Sequence, residues 1–147
     1  MTYWRLYYHV VWGTKDRLPM LDAERAVLAE QAIVGVAMEH DALIHAIGFM
    51  PDHVHLAISI PPDAPISTVI GKMKGLSSFR INREHSIELA SFKWQPEFGV
   101  ISISERALDD VVQYVRSQPE RHRDRKLYRQ METFGPPKSW SETNSAS

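Results

Sequence analysis

Two histidines separated by one residue open the segment HVHLAISI as His53-Val54-His55, and Tyr114 and Gln118 lie four residues apart in LDDVVQYVRSQ. These residue types can hold a divalent cation and attack a phosphate. On an extended strand successive side chains face opposite sides, so His53, His55, Ala57 and Ser59 share one face. Val54, Leu56, Ile58 and Ile60 share the other and read as core. The two imidazoles then stand ~6.6 Å apart along the strand, within reach of one shared ion. Neutral imidazole is a common metal ligand, and a strand fixes the ligand directions. Two ligands do not complete a site, so a third group must come from elsewhere. The same alternation also describes a solvated sheet face that carries two polar residues. Small Ala57 and Ser59 leave room beside the histidines for something to sit.

On a helix, Tyr114 and Gln118 occupy one face, with Cβ atoms ~5–6 Å apart. Leu108, Val111, Val112 and Val115 supply the apolar side of that helix. A tyrosine hydroxyl is a covalent nucleophile where its ionisation is assisted. A cation that polarises the attacked phosphate supplies such help. The amide oxygen of Gln118 is a third donor that suits Mg²⁺ or Mn²⁺, and imidazole also suits Mn²⁺. A half-buried packing tyrosine followed by a surface glutamine fits the spacing equally well. Pro119 biases Gln118 away from helical geometry, so the helix ends or kinks there, with Ser117 as a cap. His122 could replace or supplement Gln118 as a donor, and it equally fits a phosphate-contacting or surface histidine.

The elements that must position these groups follow from pattern. Arg5–Thr14 is rich in β-branched and aromatic residues and reads as a strand. Asp22 caps a helix over Ala23–Glu39, with Glu24 suiting its first turn. Ala42–Phe49 and His53–Ile60 read as strands joined by the turn Met50-Pro51-Asp52. After the stiff loop Pro61–Pro65, Ile66, Val69, Ile70, Met73 and Leu76 line one arc of a helix over Ile66–Arg83. Gly71 and Gly75 weaken that helix or admit a close neighbour. Residues Glu84–Gly99 read as irregular, Val100–Ser104 as a strand and Glu105–Gln118 as a third helix. The first six elements give the split βαβ pattern of a ferredoxin-like α+β domain, an antiparallel sheet with helices on one face, followed by the helix that carries the tyrosine. Trp12 and Phe49 are expected in the core.

The 147 residues suffice for one domain, expected over residues 1–134. The tail at 135–147, rich in Pro, Ser and Asn, reads as disordered. No run reaches the ~18 apolar residues of a membrane-spanning helix. The opening MTYWRLYYHVVWGTKDR lacks the features of a signal peptide, and there are no cysteines to form disulfides or thiolate sites. Both facts fit a cytoplasmic protein. The net charge of −1 advertises no polyanion partner, but its distribution is uneven. Residues 1–60 carry four basic and seven acidic side chains. Lys72, Lys74, Arg80 and Arg83 fall in a stretch without acids, and Arg121 and Arg123 belong to a second basic run. The two runs can form one phosphate-binding face or two solvated helix faces.

In order along the chain, Tyr8-His9-Val10-Val11-Trp12-Gly13-Thr14-Lys15-Asp16-Arg17, Met50-Pro51-Asp52-His53-Val54-His55, Lys72-Met73-Lys74-Gly75-Leu76-Ser77-Ser78, Trp94-Gln95-Pro96-Glu97-Phe98, Tyr114-Val115-Arg116-Ser117-Gln118 and Glu120-Arg121-His122-Arg123 are similar to motifs of one family. They resemble the HUH single-tyrosine (IS200-like) transposases, in particular the branch associated with repetitive extragenic palindromes. Any one motif is weak, but this many in order over residues 6–126 are specific. The resemblance implies a homodimer with a shared sheet, recognition of single-stranded DNA hairpins, and cleavage dependent on Mg²⁺ or Mn²⁺ through a 5′-phosphotyrosine. It assigns Tyr114 as nucleophile and His53, His55 and Gln118 as metal ligands. Lys72, Lys74, Arg80, Arg83, Arg121 and Arg123 would follow the DNA. A domesticated relative that binds palindromic single strands without mobilising them is the alternative. A phosphoesterase with two His-x-Ser/Thr motifs is excluded, since only His85-Ser86 approaches that pattern.

Overall fold

The computed structural model describes residues 3–85 and 91–118. Four strands and three helices follow in the order β1 (Tyr7–Gly13), α1 (Ala23–Glu39), β2 (Leu43–Met50), β3 (His53–Ser59), α2 (Ile66–Glu84), β4 (Gly99–Ile103) and α3 (Leu108–Arg116). The sheet runs β2-β3-β1-β4, with every neighbouring pair antiparallel. This is the expected split βαβ arrangement, since each crossover helix joins strands that are separated by one other. Two strands, β1 and β3, are central, and His53 and His55 stand on one of them.

Local chemistry accounts for the helix ends. The Asp22 carboxylate accepts from the Arg25 backbone N–H at 2.9 Å, which satisfies one unpaired donor of α1. Ser104 does the same for Ala107, capping a single 3₁₀ turn over Glu105–Ala107 that leads into α3. The third helix is therefore shorter than Glu105–Gln118. It ends at Arg116, and Ser117 turns the chain, its hydroxyl donating to the Gln113 carbonyl at 2.7 Å.

The apolar faces settle the layering. Val10, Trp12, Val54, Leu56 and Ile58 of the sheet pack against Ile33, Val36 and Ala37 of α1 and Val69, Ile70 and Met73 of α2. Trp12 is fully buried, and Phe49 is partly buried against the same core. The third helix lies across the opposite face, where Val111 and Val115 meet Ala46 and Ala57. The room beside the histidines is thus filled by α3. The loop after α2 is strapped to the end of β1. Trp94 donates to Ser77 Oγ at 2.8 Å and stacks edge-on against Trp12 and Phe92, and Gln95 N–H donates to the Gly13 carbonyl at 3.0 Å.

Candidate active site

Pairing decides which side chains meet. Val11 and Gly48 flank His55 on either side, Gly13 and Met50 flank His53, and His9 and Ala46 flank Ala57. Residues paired across antiparallel strands share a face. His9, His53 and His55 therefore face α3 together, away from the core beneath α1 and α2. This is no solvated sheet face. His53 and Tyr114 are each 1% exposed, and His55 and Gln118 are 0% exposed. Their ring centroids lie close: 5.0 Å between His53 and His55, and 6.0 Å between His55 and Tyr114.

A glycine brings the helix down onto the strands. A Cβ on Gly48 would stand 2.2 Å from the Val115 carbonyl oxygen and 3.4 Å from Gln118 Cγ. Only hydrogen fits there, so the backbone of α3 rests on β2 beside His55. This carries Tyr114 and Gln118 over the histidine pair. Gln118 Nε2 donates back to the Tyr114 carbonyl at 3.1 Å, so its amide is turned with the nitrogen toward its own helix. Sequence reading passed over Gly48, although a glycine inside a strand is itself a sign of close backbone approach.

Both imidazoles are held through Nδ1. His53 Nδ1 lies 2.6 Å from Asp52 Oδ1, and a carboxylate only accepts, so that nitrogen carries hydrogen. Asp52 also accepts from Arg17 Nε at 3.1 Å. Burial pushes the Asp52 carboxyl up, but the contacts with His53 and Arg17 outweigh this and hold it below the usual carboxylate value. Asp16 and Arg17 both adopt φ of 56°, a left-handed backbone that ordinary residues adopt at a cost of roughly 1 kcal/mol or more each. The strain lies in the turn that delivers Arg17 to Asp52. His55 Nδ1 lies 2.9 Å from His9 Nε2, and these rings stack at 5.1 Å. His9 is a site residue that sequence reasoning missed, since it entered only as part of a strand motif.

The donor set fits a divalent cation. Two neutral imidazoles on one sheet face with Nδ1 engaged would offer Nε2, and a nearby amide offers oxygen. Among the described residues, no three His, Asp or Glu side chains converge as a metal cluster, so a third donor drawn from these residues is of another type, such as the Gln118 amide.

The basic residues of α2 are not brought to this site, because α2 covers the other face of the sheet. Lys74 is half-buried, and its ammonium donates to the Gln95 carbonyl at 2.6 Å and the Glu97 carbonyl at 3.2 Å. Burial lowers its pKa, against a smaller opposing pull from Glu97. It straps the Trp94 loop to α2. Lys72 lies 3.8 Å from Glu39, and Arg83 pairs with Glu84 at 3.2 Å and stands over the Phe79 ring. Arg80 lies partly exposed on the same helix. Arg121, His122 and Arg123 lie outside the described residues, as does the tail at 135–147. A Cβ at Gly71 or Gly75 would meet nothing within 4 Å, so no described neighbour approaches either closely, although Gly75 lines a shallow hollow between α2 and the Trp94 loop.

A family model described as IS200-like transposase matches residues 2–118. The ISDra2 transposase TnpA of Deinococcus radiodurans is 25% identical over 126 residues, covering 80% of this chain and 87% of that protein. A crystal structure of a protein described as a transposase from Deinococcus radiodurans R1 superposes with a TM-score of 0.64 at 26% identity, covering 78% of this chain and 92% of the other. A tyrosine transposase associated with REP, bound to a REP hairpin, superposes with the same TM-score of 0.64 at 18% identity, covering 92% and 93% of the two chains. At that identity, the second structure shares the fold.

Proposed function

The chain belongs to the IS200-like transposase family, and on that premise we propose that it cleaves and rejoins single-stranded DNA next to hairpins, with Tyr114 as the nucleophile. The observation that carries this reading is the convergence of His53, His55, Tyr114 and Gln118 from two elements onto one buried patch. The substrate class rests on the REP hairpin held by a neighbour of the same fold. Residues 1–134 act as one catalytic domain, and two copies work as a homodimer.

In the proposed reaction, the Tyr114 hydroxyl oxygen attacks the phosphorus of the scissile diester. A bond forms between that oxygen and phosphorus, the bond from phosphorus to the 3′ oxygen breaks, and the 3′ oxygen leaves as a hydroxyl with a proton. The phenol gives up its own proton as the new bond forms. One diester is exchanged for another, so a second 3′ hydroxyl can reverse the step without ATP. His53, His55 and the Gln118 amide oxygen would hold Mg²⁺ or Mn²⁺, which supplies charge stabilisation at the phosphate oxygens when bound. Asp52 keeps His53 oriented through Nδ1. Tyr114 is buried, so a phosphate reaches its hydroxyl only when the structure opens locally around it. Outward-facing Lys72, Arg80 and Arg83, with Arg121 and Arg123, contact the DNA backbone.

Cleavage of end-labelled hairpin oligonucleotides with single-stranded flanks, drawn from the protein's own genomic surroundings, tests the reading. With Mg²⁺ or Mn²⁺, cut products are expected from single strands, none from the same sequence as duplex, and none with chelator. His53→Ala is expected to lower cutting by at least about 100-fold. Hairpin binding without cutting under every metal condition favours the domesticated binding protein.

A further inference from the structure

We propose that His9 is the positioning residue for His55, accepting a hydrogen bond from His55 Nδ1–H through its own Nε2 and so leaving the Nε2 lone pair of His55 for a cation. The inference rests on the reading of His55 as a ligand. Three observations carry it. The two nitrogens are 2.9 Å apart, both side chains are buried, and the register sets His9 diagonally from His55 across the central strand pair. His9 is paired with Ala57, which offers only a methyl, so the His9 ring has room to lean along the strand toward His55.

A pair of neutral imidazoles shares one hydrogen, and its polarity matters. If His9 donates, His55 carries its hydrogen on Nε2 and has no lone pair for a cation, because Nδ1 is already taken. If His9 accepts, His55 Nε2 carries no hydrogen and keeps its lone pair. His9 then does for His55 what Asp52 does for His53, but without charge. A second carboxylate at this depth would have to be buried beside α3, where ionisation is costly. An imidazole acceptor orients the ligand without that cost, and it fixes the tautomer as hydrogen-bonded partners of metal-binding histidines do.

The test uses the full chain, labelled with ¹⁵N, and Mn²⁺ as the probe. In metal-free protein, long-range proton–nitrogen spectra are expected to show His55 protonated at Nδ1. His9→Leu keeps the volume and removes the acceptor; Mn²⁺ affinity, read from the spin-resonance signal of free Mn²⁺, is expected to fall by about 10–100-fold. His9→Gln is expected to restore most of it, since the amide oxygen can stand where Nε2 stood. His53→Ala reports on the cation site itself. If His53→Ala weakens Mn²⁺ binding and His9→Leu does not, the inference is overturned and the cation site stands. If neither variant changes Mn²⁺ binding, the cation site fails and the inference falls with it. Should His9→Leu not fold, the wild-type spectrum decides, and His55 protonated at Nε2 overturns the inference.

Discussion

Along β3, Val54, Leu56 and Ile58 press into the layer formed by α1 and α2, while His53, His55 and Ala57 lie beneath α3, and both sets are shut off from water. One strand thus carries two buried faces of opposite chemistry. The apolar face is held by area: each aliphatic side chain contributes roughly 1.5–3 kcal/mol when buried, with little demand on direction. The polar face gains little from area and depends on direction, because each buried imidazole nitrogen needs a partner at hydrogen-bond distance. Asp52 and His9 supply such partners for the Nδ1 atoms of His53 and His55, at 2.6 and 2.9 Å. The first face holds the fold by area, and the second holds its side chains by direction.

This contrast can be broken from the apolar side first. Leu56→Ala leaves a cavity between sheet and helices and is expected to cost about 2–5 kcal/mol in urea unfolding. A smaller loss is expected on the other face from Gly48→Ala, about 1–3 kcal/mol, as the new methyl meets the Val115 carbonyl and lifts α3. Hydrogen exchange distinguishes the two variants. Leu56→Ala should raise exchange throughout the sheet, whereas Gly48→Ala should raise it in α3 and leave α1 and α2 protected.

Much of this architecture was legible in the chain. The alternation from His53 to Ile60 marked one face as core, and the order of elements implied the sheet. His9 escaped because Tyr7–Gly13 is aromatic and aliphatic throughout, being covered on both faces, and such a run shows no alternation that would assign a side. Only its pairing with Ala57 reveals that it faces α3. The seat of α3 was hidden for a related reason. Val111 and Val115 announce an apolar stripe, but a stripe does not say which face of a sheet it covers. Lys74 misleads in the opposite way, since a lysine in an acid-free stretch reads as a DNA contact until its carbonyl partners in the Trp94 loop are seen.

Two finer effects sharpen the comparison. His45 is the extra residue of a bulge in β2 and reaches Ser59 Oγ at 2.8 Å, at the far end of the polar face. Burial lowers its pKa below the ordinary imidazole value. The unfolded chain therefore binds a proton at higher pH than the folded one, and stability should decline as pH falls below that ordinary value. In thermal melts between about pH 7.5 and 5.5, His45→Gln should show a shallower decline than the wild type. The smallest effect is expected outside both faces. Gly35 lies exposed within α1 with nothing within 4 Å of a Cβ, so Gly35→Ala should stabilise by about 0.5–1 kcal/mol in the same urea assay and leave cleavage unchanged.

The central claim is that the polar face delivers Tyr114 to a DNA phosphate. The most direct measurement is mass spectrometry of protein incubated with Mn²⁺ and a single-stranded hairpin oligonucleotide, then denatured and digested. The account predicts a peptide carrying a 5′-phosphonucleotide on Tyr114, lost with chelator and lost in Tyr114→Phe while hairpin binding persists. A DNA adduct of undiminished yield in Tyr114→Phe, attached to another residue, would contradict it.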